Sequence, residues 1–183
     1  TKVGLEGGEF LLHPESREIM AWFRENHPNF DLLSNCLKPE STIEAVKASP
    51  PVRLYISLDG TEETYKEMRG KDGYANVLKV IEGVKGIVPV SVMFCLSPWN
   101  SMDDLQHVAE VCKAHDVDLR VGVYSNIQFF DTEDPAYQSQ EITGIPEILK
   151  EFEENYDYLV LYNEWAAGKL KLPCKSILDS IVV

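Results

Sequence analysis

The sequence predicts an α/β fold built on a parallel sheet. Short apolar runs rich in branched residues alternate with stretches of helical period, which is the pattern of strands joined by crossover helices. Prolines stand just ahead of several runs, at Pro28, Pro50, Pro51 and Pro89, where they end a helix without removing a donor from a strand centre.

The elements follow in order. A first strand is expected over residues 2–6, around Val3 and Leu5, then a helix over 14–26. Strands over 30–34 and 52–58 flank a helix over 40–48. Two helices, 61–68 and 74–84, precede a strand over 90–96. The next helix, 101–115, is the best marked: Ser101 is a capping residue, Asp103 and Asp104 suit the positive end of the helix dipole, and Leu105, Val108, Ala109 and Cys112 form one apolar face. A strand over 119–124 precedes a polar stretch at 130–144, expected as a long surface loop. A helix over 145–155 and a sixth strand over 158–161 complete the expectation.

Composition narrows the function. Seventeen basic against thirty acidic residues give a net charge of -13 in 183 residues, which repels phosphate and opposes nucleic acid and anionic membranes as partners. No apolar run approaches the ~20 residues of a membrane span, and no signal-peptide pattern opens the chain, so a cytoplasmic location is expected. Cys36, Cys95, Cys112 and Cys174 lie too far apart to clasp a metal by local spacing, and buried reduced thiols are the simplest reading. The chain opens and closes inside apolar stretches, the pattern expected of a piece of a longer protein.

A parallel sheet binds ligands at the carboxyl ends of its strands. Those ends carry Glu6-Gly7-Gly8-Glu9, Ser34-Asn35-Cys36, Ser57-Leu58-Asp59-Gly60, Cys95-Leu96-Ser97 and Tyr124-Ser125-Asn126. Paired glycines just past a strand let backbone approach a ligand, and the carboxylate after them suits an ammonium; the same residues also serve as a tight turn with a solvated acid. Trp99, Tyr124 and Phe129 stand near these ends, where aromatic rings stack an adenine or line a channel, with loop and core packing the plainer role for Trp99.

Together these segments resemble the radical SAM (S-adenosylmethionine) enzymes. Gly7-Gly8-Glu9 resembles their GGE motif, with Phe10 where proline is usual, and Leu11-Leu12-His13-Pro14 continues it. Leu33-Ser34-Asn35-Cys36 is similar to the leucine-threonine-asparagine-glycine strand end, and Ser57-Leu58-Asp59-Gly60 with Arg69-Gly70 to the serine-x-aspartate-glycine strand and its downstream arginine. The resemblance implies a partial (β/α)6 TIM-like barrel of parallel strands over residues 1–165, lacking the first βα unit. It also implies that Gly7, Gly8, Glu9, Ser34, Asn35, Ser57, Asp59 and Arg69 bind S-adenosylmethionine. Enzymes of this family cleave that cofactor reductively with a 4Fe-4S cluster, giving a 5'-deoxyadenosyl radical. The cluster's three cysteines are expected upstream of Thr1, so the chain alone should be inactive. Residues 166–183, with Leu172-Pro173-Cys174, resemble a linker and the start of a SPASM or twitch extension, which makes Cys174 an auxiliary cluster ligand. A small-molecule or peptide substrate and a flavodoxin or ferredoxin electron donor are the partners implied. The competing expectation is a non-catalytic or degenerate α/β binding module.

Overall fold

A computed structural model describes residues 2–124 and 142–170. Five strands form one sheet: β1 (Val3–Leu5), β2 (Phe30–Ser34), β3 (Arg53–Ser57), β4 (Val90–Leu96) and β5 (Asp118–Val123). All neighbours pair parallel in the order β1-β2-β3-β4-β5. The helices between them are α1 (Ser16–Asn26), α2 (Pro39–Ala48), α3 (Glu62–Arg69), α4 (Tyr74–Gly83) and α5 (Met102–His115), followed by α6 (Glu153–Ala166). A sequential order whose crossovers share one hand places every crossover helix on the same side of the sheet. This is the construction of a partial TIM-like barrel, as the alternation in the sequence predicts.

One face of the sheet is apolar and sealed. Leu5, Phe30, Leu32, Leu54, Ile56, Val92, Phe94 and Leu119 are buried with Met20, Val46, Val77, Val80, Leu105 and Val108 of the helices in a single core. The opposite face alternates out of that core, and Met93 and Cys95 on it are exposed. Cys36 and Cys112 are buried free thiols as expected, but Cys95 is exposed because its position in β4 points to this second face. Burial, with help from nearby Asp118, pushes the Cys112 thiol up to about 12.

The carboxyl-terminal region departs from the sequence expectation. Residues 158–161 are not a strand; they lie within α6, and the helix expected over 145–155 is a 3-10 turn, Glu147–Glu151, broken at Phe152 before α6 begins. An apolar run of four is ambiguous by period, and here Asn155 and Leu159, four apart, are buried while Val160 and Leu161 are exposed. The edge that a sixth strand would pair is met instead by one side chain. Asn155 donates from Nδ2 to the Leu119 carbonyl at 2.7 Å and accepts from the Val121 amide at 2.9 Å. A buried amide thus satisfies two ladder positions of β5. No helix among the described residues is long and apolar enough to cross a membrane.

Candidate functional site

The chain leaves β1 through Glu6, Gly7 and Gly8. Gly7 has φ +135°, a conformation that side chains disfavour, and a Cβ at either glycine would meet nothing within 4 Å. The backbone is therefore open to approach. Glu9 then begins a 3-10 turn, Phe10–Leu12, and its carboxylate is engaged within the protein. It accepts from the Leu11 amide at 3.3 Å, the Asn35 amide at 2.7 Å and Ser34 Oγ at 3.2 Å. A carboxylate has about four lone-pair sites, so room remains for one more donor.

Ser34 is 2% exposed, and its hydroxyl both donates to Glu9 and accepts from the Cys36 amide at 3.0 Å. Cys36 sits at φ +58°, the left-handed region that glycine prefers, at the place where the resembled motif has glycine. Burial and the neighbouring Glu9 charge push its thiol far up, so it stays protonated. Asn35 turns its Oδ1 to the Leu37 amide at 3.0 Å, and its carbonyl accepts from the Tyr65 hydroxyl at 3.4 Å. Its Nδ2 has no protein partner among the described residues.

Past β3, Asp59 is buried and accepts from Arg69 Nε at 2.5 Å. The Arg69 guanidinium lies 5.6 Å from the Tyr65 ring centroid, which gives a cation–π contact. Burial acts against the arginine's charge, but the Asp59 hydrogen bond and charge outweigh it and raise its pKa. Among the described residues only Nε is bonded, so the two terminal nitrogens keep their donors. Ser57 lies on the open face of the sheet, in register with exposed Met93, and its hydroxyl has no partner among the described residues.

Contacts thus join Glu9, Ser34, Asn35, Asp59 and Arg69 into one rim through Tyr65, with Gly7 and Gly8 leading into it. Ser57 makes no contact with this set; it stands two residues before Asp59, on the open side of the sheet. Cys174 and Phe129 lie outside the described residues. Trp99 is 64% exposed, so it does not pack in the core as expected, because a loop side chain beside the open face has no core to enter; the loop packing expected of it is present as an edge-to-face contact with Tyr124 at 5.3 Å. Among the described residues no three His, Cys, Asp or Glu side chains converge as a metal site.

Two braces escaped the sequence reading. Asn100 Nδ2 donates to the Asp59 and Cys95 carbonyls, both at 3.0 Å, while its Oδ1 accepts from the Ser97 amide at 2.8 Å, tying the ends of β3 and β4 together. Asp104 completes a capping box with Ser101 and also accepts from the Thr61 amide at 3.1 Å. A Cβ on Gly60, at φ +151°, would fall 2.3 Å from Asp104 Oδ1, so glycine is required there. Burial pushes the Asp104 carboxyl up, and hydrogen bonds from Thr64, Thr61 and Ser101 outweigh it and hold the group below its ordinary range. The Ser101 cap was legible, but the reach of the Asp104 carboxylate across to Thr61, at the start of α3, was not.

No family model and no curated protein matches the sequence. Among solved structures, SuiB of Streptococcus suis is similar, with 15% identity and a TM-score of 0.62 over 92% of this chain and 37% of that one. The chain therefore spans little more than a third of the length of that structure, and likeness at this identity establishes the fold, an α/β partial barrel.

Proposed function

We propose that the rim formed by the ends of β1, β2 and β3 binds S-adenosylmethionine, and that the chain is part of a radical SAM enzyme. The likeness to SuiB supports a radical SAM-like fold, and the three strand-end motifs supply the rest of the reading. One observation carries it. Arg69 is held at Nε by buried Asp59 and keeps a two-nitrogen fork without a partner among the described residues, an arrangement that suits a carboxylate such as the one on the cofactor's methionine end.

The other groups fit the same molecule. The open Gly7-Gly8 backbone admits close approach, and Glu9 retains one lone-pair site for an ammonium. Asn35 Nδ2 and the Ser57 hydroxyl offer neutral donors to carboxylate or ribose. Ser34 acts indirectly, by fixing Glu9. In enzymes of this kind, S-adenosylmethionine with its 4Fe-4S cluster supplies a 5'-deoxyadenosyl radical. The described residues include no ligand set that fits such a cluster, so the role assigned to them is binding and orienting the cofactor.

The test is an NMR titration of this chain with S-adenosylmethionine. Saturable shifts are expected at Gly7, Gly8 and Ser57, with affinity about tenfold lower in Arg69→Lys, which keeps the charge but loses the fork. Shifts confined elsewhere, or equal affinity in a folded Arg69→Lys, would sink the assignment.

A further inference from the structure

The sheet face away from the helices carries charge that the rim does not use. Register places Tyr55, Ser91 and Asp118 in one row and Ser57, Met93 and Arg120 in the next row toward the strand ends, with Arg53 two residues before Tyr55 on the same face. Barrel interiors are ordinarily filled by branched apolar side chains. Two arginines and two aspartates there, Asp118 and the buried Asp31 that stands in register with Arg53 and pairs with Lys2 at 2.7 Å, need a physical reason, because withdrawing charge from water is costly unless the charges are well paired.

The pairing is incomplete. A single oxygen, Asp118 Oδ2, accepts from Arg53 Nη1 at 3.4 Å, Ser91 Oγ at 2.7 Å and Arg120 Nε at 2.9 Å. Arg53 Nη1 also donates to Ser91 Oγ at 2.7 Å. One carboxylate oxygen thus gathers two guanidinium groups side by side. A third acid, Glu154, meets Arg120 Nη1 at 2.5 Å, but its side chain is 78% exposed, where an ion pair is weak and exchangeable. Arg53 keeps Nε and Nη2 without a protein partner among the described residues, and Arg120 keeps Nη2. Their side chains are 30% and 41% exposed.

There is also space. Gly122 lies on the same face as Arg120, two residues toward the mouth, and a Cβ there would meet only the Phe94 carbonyl, at 4.0 Å. Its register partner Cys95 is exposed. Two adjacent arginines with spare donors on an open face stand out in a chain of net charge -13.

We propose that Arg53 and Arg120, gathered by Asp118, form a carboxylate-binding subsite, with Glu154 as the exchangeable group that an incoming carboxylate displaces. Arg120 shares a register row with Ser57 across one intervening strand, a separation of about 10 Å. A molecule held there by its carboxylate would extend toward the cofactor rim. As a substrate subsite this rests on the assignment of that rim to S-adenosylmethionine, and it names the substrate class as one bearing a free carboxylate; as an anion site it stands by itself.

The experiment is an NMR titration of this chain, followed at the arginine Nε–H resonances, with glutarate and inorganic phosphate as probes at constant ionic strength. Saturable glutarate binding is expected, about tenfold weaker in Arg53→Gln and in Arg120→Gln. Glu154→Gln should tighten it severalfold, while Glu153→Gln, the same charge change one residue away, should not. Should an arginine variant fail to fold, the Glu154 and Glu153 pair still decides. Non-saturable binding, or equal tightening by both glutamine variants, would overturn the subsite. Phosphate binding tighter than glutarate at the same resonances would overturn the carboxylate class. S-adenosylmethionine titrated in parallel should bind Arg53→Gln as it binds the parent; glutarate binding without cofactor binding would remove the rim assignment and leave the anion site intact.

Discussion

Glu9 and Ser57 both stand at strand ends in motifs that point to a ligand, yet the protein treats them oppositely. Around Glu9 the polar groups are bonded to one another: the carboxylate gathers Leu11, Asn35 and Ser34, and Ser34 in turn takes the Cys36 amide. Around Ser57 the sheet face is open, the hydroxyl has no partner among the described residues and the register neighbour Met93 is exposed. The difference teaches that a motif residue can serve a site in two ways. Glu9 holds the loops in place, as Asn100 and Asp104 do on the next strands, while Ser57 and the Arg69 fork remain to be occupied. Substitutions should therefore separate into those that read out as stability and those that read out as binding.

The largest effect is expected at Gly60. Alanine there combines a disfavoured positive φ with a Cβ placed 2.3 Å from the buried Asp104 carboxylate, and strain of both kinds should cost about 2 to 4 kcal/mol in chemical denaturation. Gly8→Ala meets open space and should cost less than about 1 kcal/mol. Equal losses at the two glycines would erase the distinction between the braced and the open strand ends.

Next comes Glu9→Gln. Gln keeps one acceptor oxygen but loses the charge that strengthens bonds from Asn35 and Ser34, so about 1.5 kcal/mol of stability should go. In a double-mutant cycle with Ser34→Ala, a coupling near 1 kcal/mol is expected. Additive losses would show that Glu9 is not held by Ser34.

Asp104 gives a smaller effect with a definite pH window. Hydrogen bonds that outweigh burial hold its folded carboxyl below the ordinary range, so the unfolded chain binds this proton more readily than the folded one. The stability it contributes is complete above the unfolded value near 3.9 and is lost as pH falls through the lower folded value. Asp104→Asn should flatten the acid limb of the stability profile, with the parent's advantage about 1 kcal/mol above roughly pH 5 and shrinking below it. A parallel pair of profiles would contradict the depressed carboxyl.

The five strands were legible to within a residue or two because alternation, proline placement and helix caps are local. The sixth was not, since residues 158–161 are apolar enough for either period and the deciding fact is tertiary: Asn155 occupies the β5 edge from within a helix. The candidate positions were legible one by one, and contacts connect five of them, Glu9, Ser34, Asn35, Asp59 and Arg69. Their division of labour was not, because the Glu9–Ser34 bond spans 25 residues and the Thr61–Asp104 bond spans 43, and no local pattern reports such pairings. The Arg53–Asp118 pair, 65 residues apart on the open face, was invisible for the same reason.

The smallest change in stability, and the sharpest separation of the two regions, is expected from Ser57→Ala. The hydroxyl has no partner among the described residues and sits beside exposed Met93, so removing it strands no buried donor or acceptor and should leave the unfolding free energy within about 0.5 kcal/mol of the parent. If the rim binds S-adenosylmethionine, the same substitution removes one neutral hydrogen bond to it, contributing roughly 0.5 to 1.5 kcal/mol, which is about a two- to tenfold loss of affinity. Glu9→Gln should show the reverse weighting, a clear loss of stability with a binding loss explained largely by a loosened Gly7-Gly8 loop. Denaturation and S-adenosylmethionine titration on both variants decide the matter together. A Ser57→Ala protein that is destabilised like Glu9→Gln and binds unchanged would place Ser57 among the braces and leave the open face without its first ligand contact.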